Sequence, residues 1–473
     1  MNAPRLLLSA AHKSSGKTTL AIGLAAALAA RGLRVQTFKK GPDYIDPMWL
    51  ARASGRPCYN LDPHLMAGEE IDRLFARQAR DADISLLEGN HGLYDGLALD
   101  GSNSNATLAH RLQAPVLLVI DARGMTRGIA PLILGYQAFD RALRIGGVIL
   151  NQLGGARHEA KLRAVIEHYT DMPVLGAVQR DERLAMTERH LGLTPDAELG
   201  DADARVQAIA QAVAAQVDLA RVRALAAEAP ALPEAAPLPA PAAGGRRVRI
   251  AIARDRAFGF YYADDLAALE AAGATLLPFD TLHDTRLPAA DGLFVGGGFP
   301  ETCLPALQAN AALRAALRAA IEGGMPAYAE CGGLMLLARS IRDGDRVVPM
   351  AGVIPGDVVM HARPVGRGYV RLQETAAMPW GAPAAAPVLA HEFHHSSLDN
   401  LPAGTRYAYQ VQRGHGIDGR HDGVVVHKLL ASYAHRRQVG GDAWATRFVD
   451  YVRRESAPQP AANPQPERAR AAA

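Results

Sequence analysis

The chain has 473 residues, 49% hydrophobic and 21% charged, the balance of a soluble globular protein with room for two or three cores. Its 51 Lys and Arg against 48 Asp and Glu leave a net charge of only +3, so the bulk electrostatics give no case for nucleic acid. Three scattered cysteines, Cys58, Cys303 and Cys331, exclude a disulfide framework, and no apolar run is long enough to span a bilayer. A soluble protein of a reducing cytoplasm is expected.

Taken in chain order, "RLLLSA" is the first apolar strand, and it starts too early to leave room for a signal peptide. It runs into "SAAHKSSGKTT", Ser9 to Thr19, followed by an Ala/Leu-rich helix. Small residues there let backbone N–H groups turn toward phosphate oxygens, and the helix adds its positive end. Gly16, Lys17, Thr18 and Thr19 are the candidate nucleotide-binding residues, with Lys17 on the β/γ-phosphates and the Thr18 hydroxyl on Mg²⁺. Ala11 stands where the full pattern has its leading glycine, and Lys13 reads equally as a phosphate contact or a solvated lysine.

Further buried strands follow as "RVQTFKK", "DISLLEG", "PVLLVIDA", "GGVILNQ" and "MPVLGAV", separated by helical patterns. That alternation predicts an α/β domain with a mostly parallel sheet. Asp43 and Asp46 in "KKGPDYIDP" follow the second strand, and Glu88 ends the third, with Asp95 downstream. Acids at the carboxyl ends of parallel strands lie where such sheets bind ligands, so Thr18, Asp46 and Glu88 are the expected Mg²⁺ shell. For Asp43 and Asp46, each near a proline, a turn-forming or capping role is the alternative.

The first domain is expected over residues 1–222, with residues 223–245 as an Ala/Pro-rich linker ending in "AAEAPALPEAAPLPAPAAGG". A second α/β unit, 246–454, opens with "RVRIAIA" and continues through "DGLFVGG" and "MPAYAEC". The Pro/Ala-rich residues 455–473 read as a disordered tail. In "AYAECGGLMLL" the strand–Cys–Gly-Gly–helix order predicts a nucleophile elbow at Cys331. The helix behind it is expected to favour thiolate, and the Gly332 N–H to join Gly298 of "FVGGGFPE" as an oxyanion site. Cys58 and Cys303 have no such setting and read as structural. His427 and His435 in "HKLLASYAHRR", and His391, His394 and His395 in "HEFHHSS", are the candidate bases. "HEFHH" also fits the spacing of a zinc-protease motif, but its short strand-like flanks argue for histidines packed in a strand.

Eight segments in this order, "GKTT", "KKGPDYIDP", "EGNHGLYDG", "TERHLGL", "GGGFPE", "AECGGLMLL", "HEFHHS" and "ASYAH", make the chain resemble the cobyrinate (hydrogenobyrinate) a,c-diamide synthase family. The resemblance implies a dethiobiotin-synthetase-like ATP-dependent domain fused to a class I glutamine amidotransferase α/β domain. It implies that Cys331 is the glutaminase nucleophile with His435 as its partner, and that Asp43, Asp46 and Glu88 serve carboxylate activation. Arg189 and His190 would lie near the macrocycle. ATP and Mg²⁺ are the implied cofactors, and L-glutamine and a tetrapyrrole polycarboxylate the partners. A homodimer is compatible; nucleic acid and membrane are not expected. Three departures stand out: Arg437 replaces the glutamate of the usual His-x-Glu, the phosphate loop is "HKSSGKTT", and His395 takes a position where relatives often carry tyrosine. The rival readings are cobyric acid synthase, which has an asparagine-rich segment in place of "GPDYIDP", a sirohaem-type amidase, and a partitioning-type ATPase switch, for which a glutaminase would be superfluous.

Overall fold

A computed structural model describes residues 1–186, 188–189, 192–233 and 245–456. The chain divides into two compact units, one built mainly from Met1–Pro239 and the other mainly from the residues that follow.

In the first unit, β1 (Arg5–Ala10), β2 (Val35–Lys40), β3 (Tyr59–Leu61), β4 (Ile84–Glu88), β5 (Val116–Asp121), β6 (Ile145–Leu153) and β7 (Val174–Gln179) form one sheet in the order β3-β2-β4-β1-β5-β6-β7. Every neighbouring pair is parallel. Strands β1, β2, β4 and β5 are buried along their whole length; β1, β4 and β5 therefore read as mostly apolar runs and not as alternating ones, whereas β2, "VQTFKK", buries Lys39 and Lys40. The edge strand β3, "YNL", is too short to announce itself in sequence. Helix Lys17–Ala29 is apolar on most faces because a second helix, Ala202–Gln216, covers it; a Cβ on Gly23 would come 2.4 Å from Val213 Cγ2. A two-residue hairpin, β8 (Glu188–Arg189) with β9 (Gly192–Leu193), lies between β7 and that helix.

The start of the expected linker needs correcting. Residues 223–227 continue helix Leu219–Ala227, whose Asp218 side chain accepts the backbone N–H of Ala220 and Arg221. Leu219, Val222, Leu225 and Ala226 supply a buried stripe, and the first proline comes only at Pro230. The rest of the linker from 234 to 244, and the tail from 457, lie outside the described residues.

The second unit has a nine-stranded sheet. Its parallel part joins β10 (Val248–Ala253), β12 (Ala274–Phe279), β13 (Gly292–Val295), β15 (Ala327–Glu330) and β24 (Leu429–Ser432). Its antiparallel part joins β19 (Gly366–Glu374), β20 (Val388–His394), β22 (Arg406–Arg413) and β23 (His421–Val426). The order is β12-β10-β13-β15-β24-β23-β22-β19-β20. A small ladder pairs β11 (Phe258–Phe260) with β14 (Gly297–Gly298), and a four-stranded sheet is formed by β16 (Ala338–Asp343), β17 (Arg346–Pro349), β18 (Ile354–Met360) and β21 (Ser396–Asp399). Two cores sandwich the nine strands. Ala327 and Ala329 face one of them, with Leu317, Ile321 and Leu336, while Tyr328 faces the other, with Trp380, Trp444 and Phe448. Among the described residues no helix is long and apolar enough to cross a membrane.

Candidate functional site

Gly16 caps helix Lys17–Ala29 in a left-handed conformation, φ 82°, and a Cβ there would lie 2.3 Å from the Asn151 amide nitrogen. Both reasons select glycine. Asn151, at the end of β6, donates to the Ser15 carbonyl at 2.9 Å and so braces the loop from below. Lys17 is buried at the helix start; burial, then repulsion from Lys39, lowers its ammonium to about 8. An anionic phosphate brought to it would raise it again and hold its charge to higher pH. Thr19 is half-buried, and Lys13 is exposed at the loop's outer side.

Parallel register sets Lys39 and Leu8 on either side of Glu88, so the carboxyl ends of β2 and β4 meet beside the loop. There the Thr18 hydroxyl donates to Glu88 Oε1 at 2.6 Å and to Asp46 Oδ2 at 3.3 Å. Lys39 Nζ donates to Asp46 Oδ2 at 2.5 Å and Glu88 Oε1 at 3.0 Å, and lies 3.9 Å from Asp43 Oδ2. The structure thus brings Thr18, Asp43, Asp46 and Glu88 together around a lysine that motif reading overlooked. Its only signal was the doubled lysine of "KKGPD". The neighbouring Lys40 is also buried, donating to Asn90 and Asn103, and burial lowers it to about 8. Asp43 in addition accepts the N–H groups of Ile45 and Asp46, the turn-forming arrangement that was the alternative reading for it. Asp95 stands apart from the cluster's hydrogen bonds, its carboxylate accepting the Gly92 N–H.

Among the described residues no group of three or more His, Cys, Asp or Glu side chains could by itself hold a metal. Glu88 Oε2, however, is buried and accepts no hydrogen bond. An orphaned carboxylate oxygen beside Asp46 and a threonine hydroxyl suits a hard cation that takes its remaining ligands from phosphate and water. The residues therefore fit Mg²⁺ delivered with a nucleotide.

Burial and the adjacent Asp46 push the Asp43 carboxyl up to about 7, although 34% of its side chain still meets solvent. Burial likewise pushes Glu88 up, with Lys39 pulling against it. A carboxyl raised in the folded state binds its proton more tightly there than in the unfolded chain. The stability it contributes at low pH is lost as pH rises toward the folded value. The unfolding midpoint of the nucleotide-free protein is accordingly expected to fall between about pH 4 and 7, and Asp43→Asn to flatten that slope. Thermal scans across the range check this; an unchanged slope in the variant would reject the assignment.

In the second unit Cys331 follows β15 with φ 46° and ψ −100°, a conformation that L-residues avoid and that an elbow requires. Its N–H donates to Ser432 O at 2.7 Å, tying the elbow to the end of β24. The glycines permit the close approach. A Cβ on Gly332 would stand 3.0 Å from both N and O of Gly298, so the two expected oxyanion residues have adjoining backbones. A Cβ on Gly297 would lie 2.6 Å from His435 Cε1, which brings the imidazole to the same glycine loop.

The expectation of a thiolate favoured by the following helix is corrected here. Helix Gly332–Leu337 is a six-residue segment, and Cys331 is only 7% exposed. Burial first, then the charges of Glu301, Glu330 and Asp422, push the thiol well above its ordinary range, with the Gly332 N–H opposing them. A thiol so placed needs a proton acceptor. His435, itself 3% exposed, exchanges backbone hydrogen bonds with His391 of β20, and their rings stack at 5.0 Å. Two residues along β20, Phe393 O lies 3.9 Å from Cys331 Sγ. His435 Nδ1 lies 3.4 Å from Glu330 Oε2, a carboxylate that sequence reading missed even though it immediately precedes the cysteine. Arg437 is fully buried at the position where a His-x-Glu would put its acid.

The remaining candidates have other settings. His391, Glu392 and His394 belong to β20, as the strand reading expected. Four residues of strand span about 13 Å, so His391 and His395 cannot share an ion. Glu392 accepts the N–H groups of His415 and Gly416, and His394 Nδ1 bonds Ser396 O. His427 sits at the turn between β23 and β24. Cys58 and Cys303 are buried without an elbow. Arg189 pairs with Gly192 through its backbone, and His190 lies outside the described residues.

Comparison with known proteins supplies two family matches. Residues 9–193 match the CobQ/CobB/MinD/ParA nucleotide binding domain, and residues 249–439 the CobB/CobQ-like glutamine amidotransferase domain. The chain is 46% identical to the cobyrinate a,c-diamide synthase of Magnetococcus marinus, over 95% of this chain and 97% of that protein. It is 41% identical to the protein of the same name from Methanosarcina acetivorans, over 94% of this chain and 95% of that one. For the counterpart from Syntrophotalea carbinolica the identity is 42%, over 96% and 100%.

Proposed function

The chain belongs to the cobyrinate a,c-diamide synthase family, and from that premise we propose that it amidates the a and c carboxylates of cobyrinate or hydrogenobyrinate, using ATP and glutamine. One observation supports this above all. A single polypeptide carries a phosphate loop ringed by Thr18, Lys39, Asp46 and Glu88, and separately a strained cysteine elbow beside a histidine. The proposed division of labour assigns synthesis to residues 1–222, with their helical extension to Ala227, and ammonia release to 246–454.

A carboxylate is a poor electrophile and ammonium a poor nucleophile, so each needs its own chemistry. In the synthetase half, a carboxylate oxygen of the substrate attacks the γ-phosphorus of ATP, ADP leaves, and an acyl phosphate results. Lys17 and the backbone of the loop stabilise charge on the transferring group. Mg²⁺ would be held by the Thr18 hydroxyl, Asp46 and Glu88 with phosphate oxygens, and supplies positive charge that offsets the nucleotide's own. Lys39 keeps the acids paired until then.

In the amidotransferase half, Cys331 gives its proton to His435 and attacks the side-chain amide of glutamine. The Gly298 and Gly332 backbone receives the oxyanion. His435 returns the proton to departing ammonia, then takes one from the water that hydrolyses the glutamyl thioester to glutamate. Ammonia displaces phosphate from the acyl phosphate, and a second round amidates the second side chain.

Mass spectrometry of the purified protein incubated with ATP, glutamine, Mg²⁺ and a panel of tetrapyrrole acids tests the reading. Cobyrinate or hydrogenobyrinate should show one and then two replacements of hydroxyl by amino. Products from sirohaem-type acids alone, or from an already diamidated corrinoid alone, would transfer the chain to a neighbouring specificity. ATP hydrolysis with no amide product on any acid would reject it.

A further inference from the structure

We propose that Glu330, the residue immediately before the nucleophile, is the carboxylate that orients His435, in place of the acid of a His-x-Glu. The inference rests on the reading of Cys331 and His435 as the glutaminase pair. Strand geometry carries it. Along β15, alternation sends Tyr328 and Glu330 to one side of the sheet, while Cys331 turns off the strand end into the elbow. Because β15 and β24 pair Glu330 with Ser432, the chain leaving β24 carries His435 back past the Glu330 side chain.

Glu330 is 2% exposed and held at one oxygen by two donors: Oε1 accepts the Tyr328 hydroxyl at 2.6 Å and the Arg436 N–H at 3.1 Å. Oε2 lies 3.4 Å from His435 Nδ1, an ion-pair distance without the alignment of a formed hydrogen bond. A carboxylate on Nδ1 fixes the ring plane, leaves Nε2 to exchange protons, and stabilises the imidazolium that forms when the thiol ionises. This matters more here than in an exposed site. The thiol is surrounded by burial and by Glu301, Glu330 and Asp422, all of which resist a lone thiolate, so it ionises only beside an imidazolium. Opposite Glu330, His391 stacks on His435 and burial keeps it neutral, with His435 and then Arg437 adding to the same effect. Arg437 occupies the usual acid's place with the wrong charge, so the orienting carboxylate must come from another strand.

Glu330 acts through His435, so it is a positioning residue, and its test needs a readout that loss of packing would not mimic. In Glu330→Gln, glutamine-dependent kcat relative to the variant's own ammonia-dependent kcat should fall about 10- to 100-fold, with KM for glutamine changed less than about threefold. Alkylation of Cys331 by iodoacetamide, followed on its peptide by mass spectrometry, should require a pH about one unit higher, because the imidazolium partner is less stable. Glu330→Asp keeps the charge on a shorter stem and should fall between wild type and Gln on both measures. A wild-type ratio with an unmoved alkylation profile overturns the proposal, as does an Asp variant no better than Gln. Parallel loss of both activities with an unmoved profile also overturns it, since that marks a packing role. The glutaminase reading itself would fail differently, by glutamine-dependent turnover surviving Cys331→Ala.

Discussion

Replacing Cys331 with alanine is expected to lower glutamine-dependent amidation by on the order of 10⁴-fold, while ammonia-dependent amidation stays within about twofold of wild type. The asymmetry follows from where the residue sits. Cys331 belongs to a core of the second unit, whereas the phosphate loop and its acids are built wholly from strands and turns of the first. Removing one sulfur deletes the nucleophile and leaves the backbone strain in place, because an alanine at φ 46° is no more comfortable than a cysteine. The measurement is product formation with glutamine or with an ammonium salt at a pH high enough to supply free ammonia. Loss of both activities in a folded variant would refute the separation of nitrogen supply from carboxylate activation.

The second large effect is expected at Lys17. Lys17→Ala should reduce synthesis with either nitrogen source by about 10²- to 10³-fold, the scale for removing one group aimed at developing phosphoryl charge. Glutaminase turnover, read as glutamate release, should survive. Because burial holds this ammonium near 8 without nucleotide, it is charged below that pH and loses its charge above it unless phosphate is bound. ATP binding by wild type should therefore weaken as pH rises through that region, and the alanine variant should lose the dependence. Calorimetric titration with ATP across the range checks it, and a pH dependence retained by the variant would assign the effect to another group.

Much of this molecule was legible before folding was considered. Strands β1, β4 and β5 of the first unit are buried on both faces, so their sequences are mostly apolar runs whatever they pack against. Gly16 and the Gly-Gly after Cys331 were equally readable, because a left-handed cap or a tight elbow is a local demand on the backbone. The linker prediction erred at its start for the same local reason read too coarsely: Pro230 ends the helix, not the alanine content before it. Of the antiparallel half of the second sheet, only the strand carrying "HEFHH" was read. The other strands alternate or carry charge, as in "GRGYVRLQE", and gain their identity only from neighbours.

The sequence by itself determined the two chemistries, a glycine-lysine loop for phosphate and a cysteine elbow for an amide, since both depend on backbone conformations that a few adjacent residues impose. Tertiary structure alone decided which charges face each other: Lys39 against Asp46 and Glu88, Glu330 against His435, and a thiol pushed up by burial instead of drawn down by a helix. The reason is physical. Backbone preference acts over neighbouring residues along the chain. Electrostatic and desolvation energies act across a few ångströms of space, and only the packed sheet brings distant residues that near.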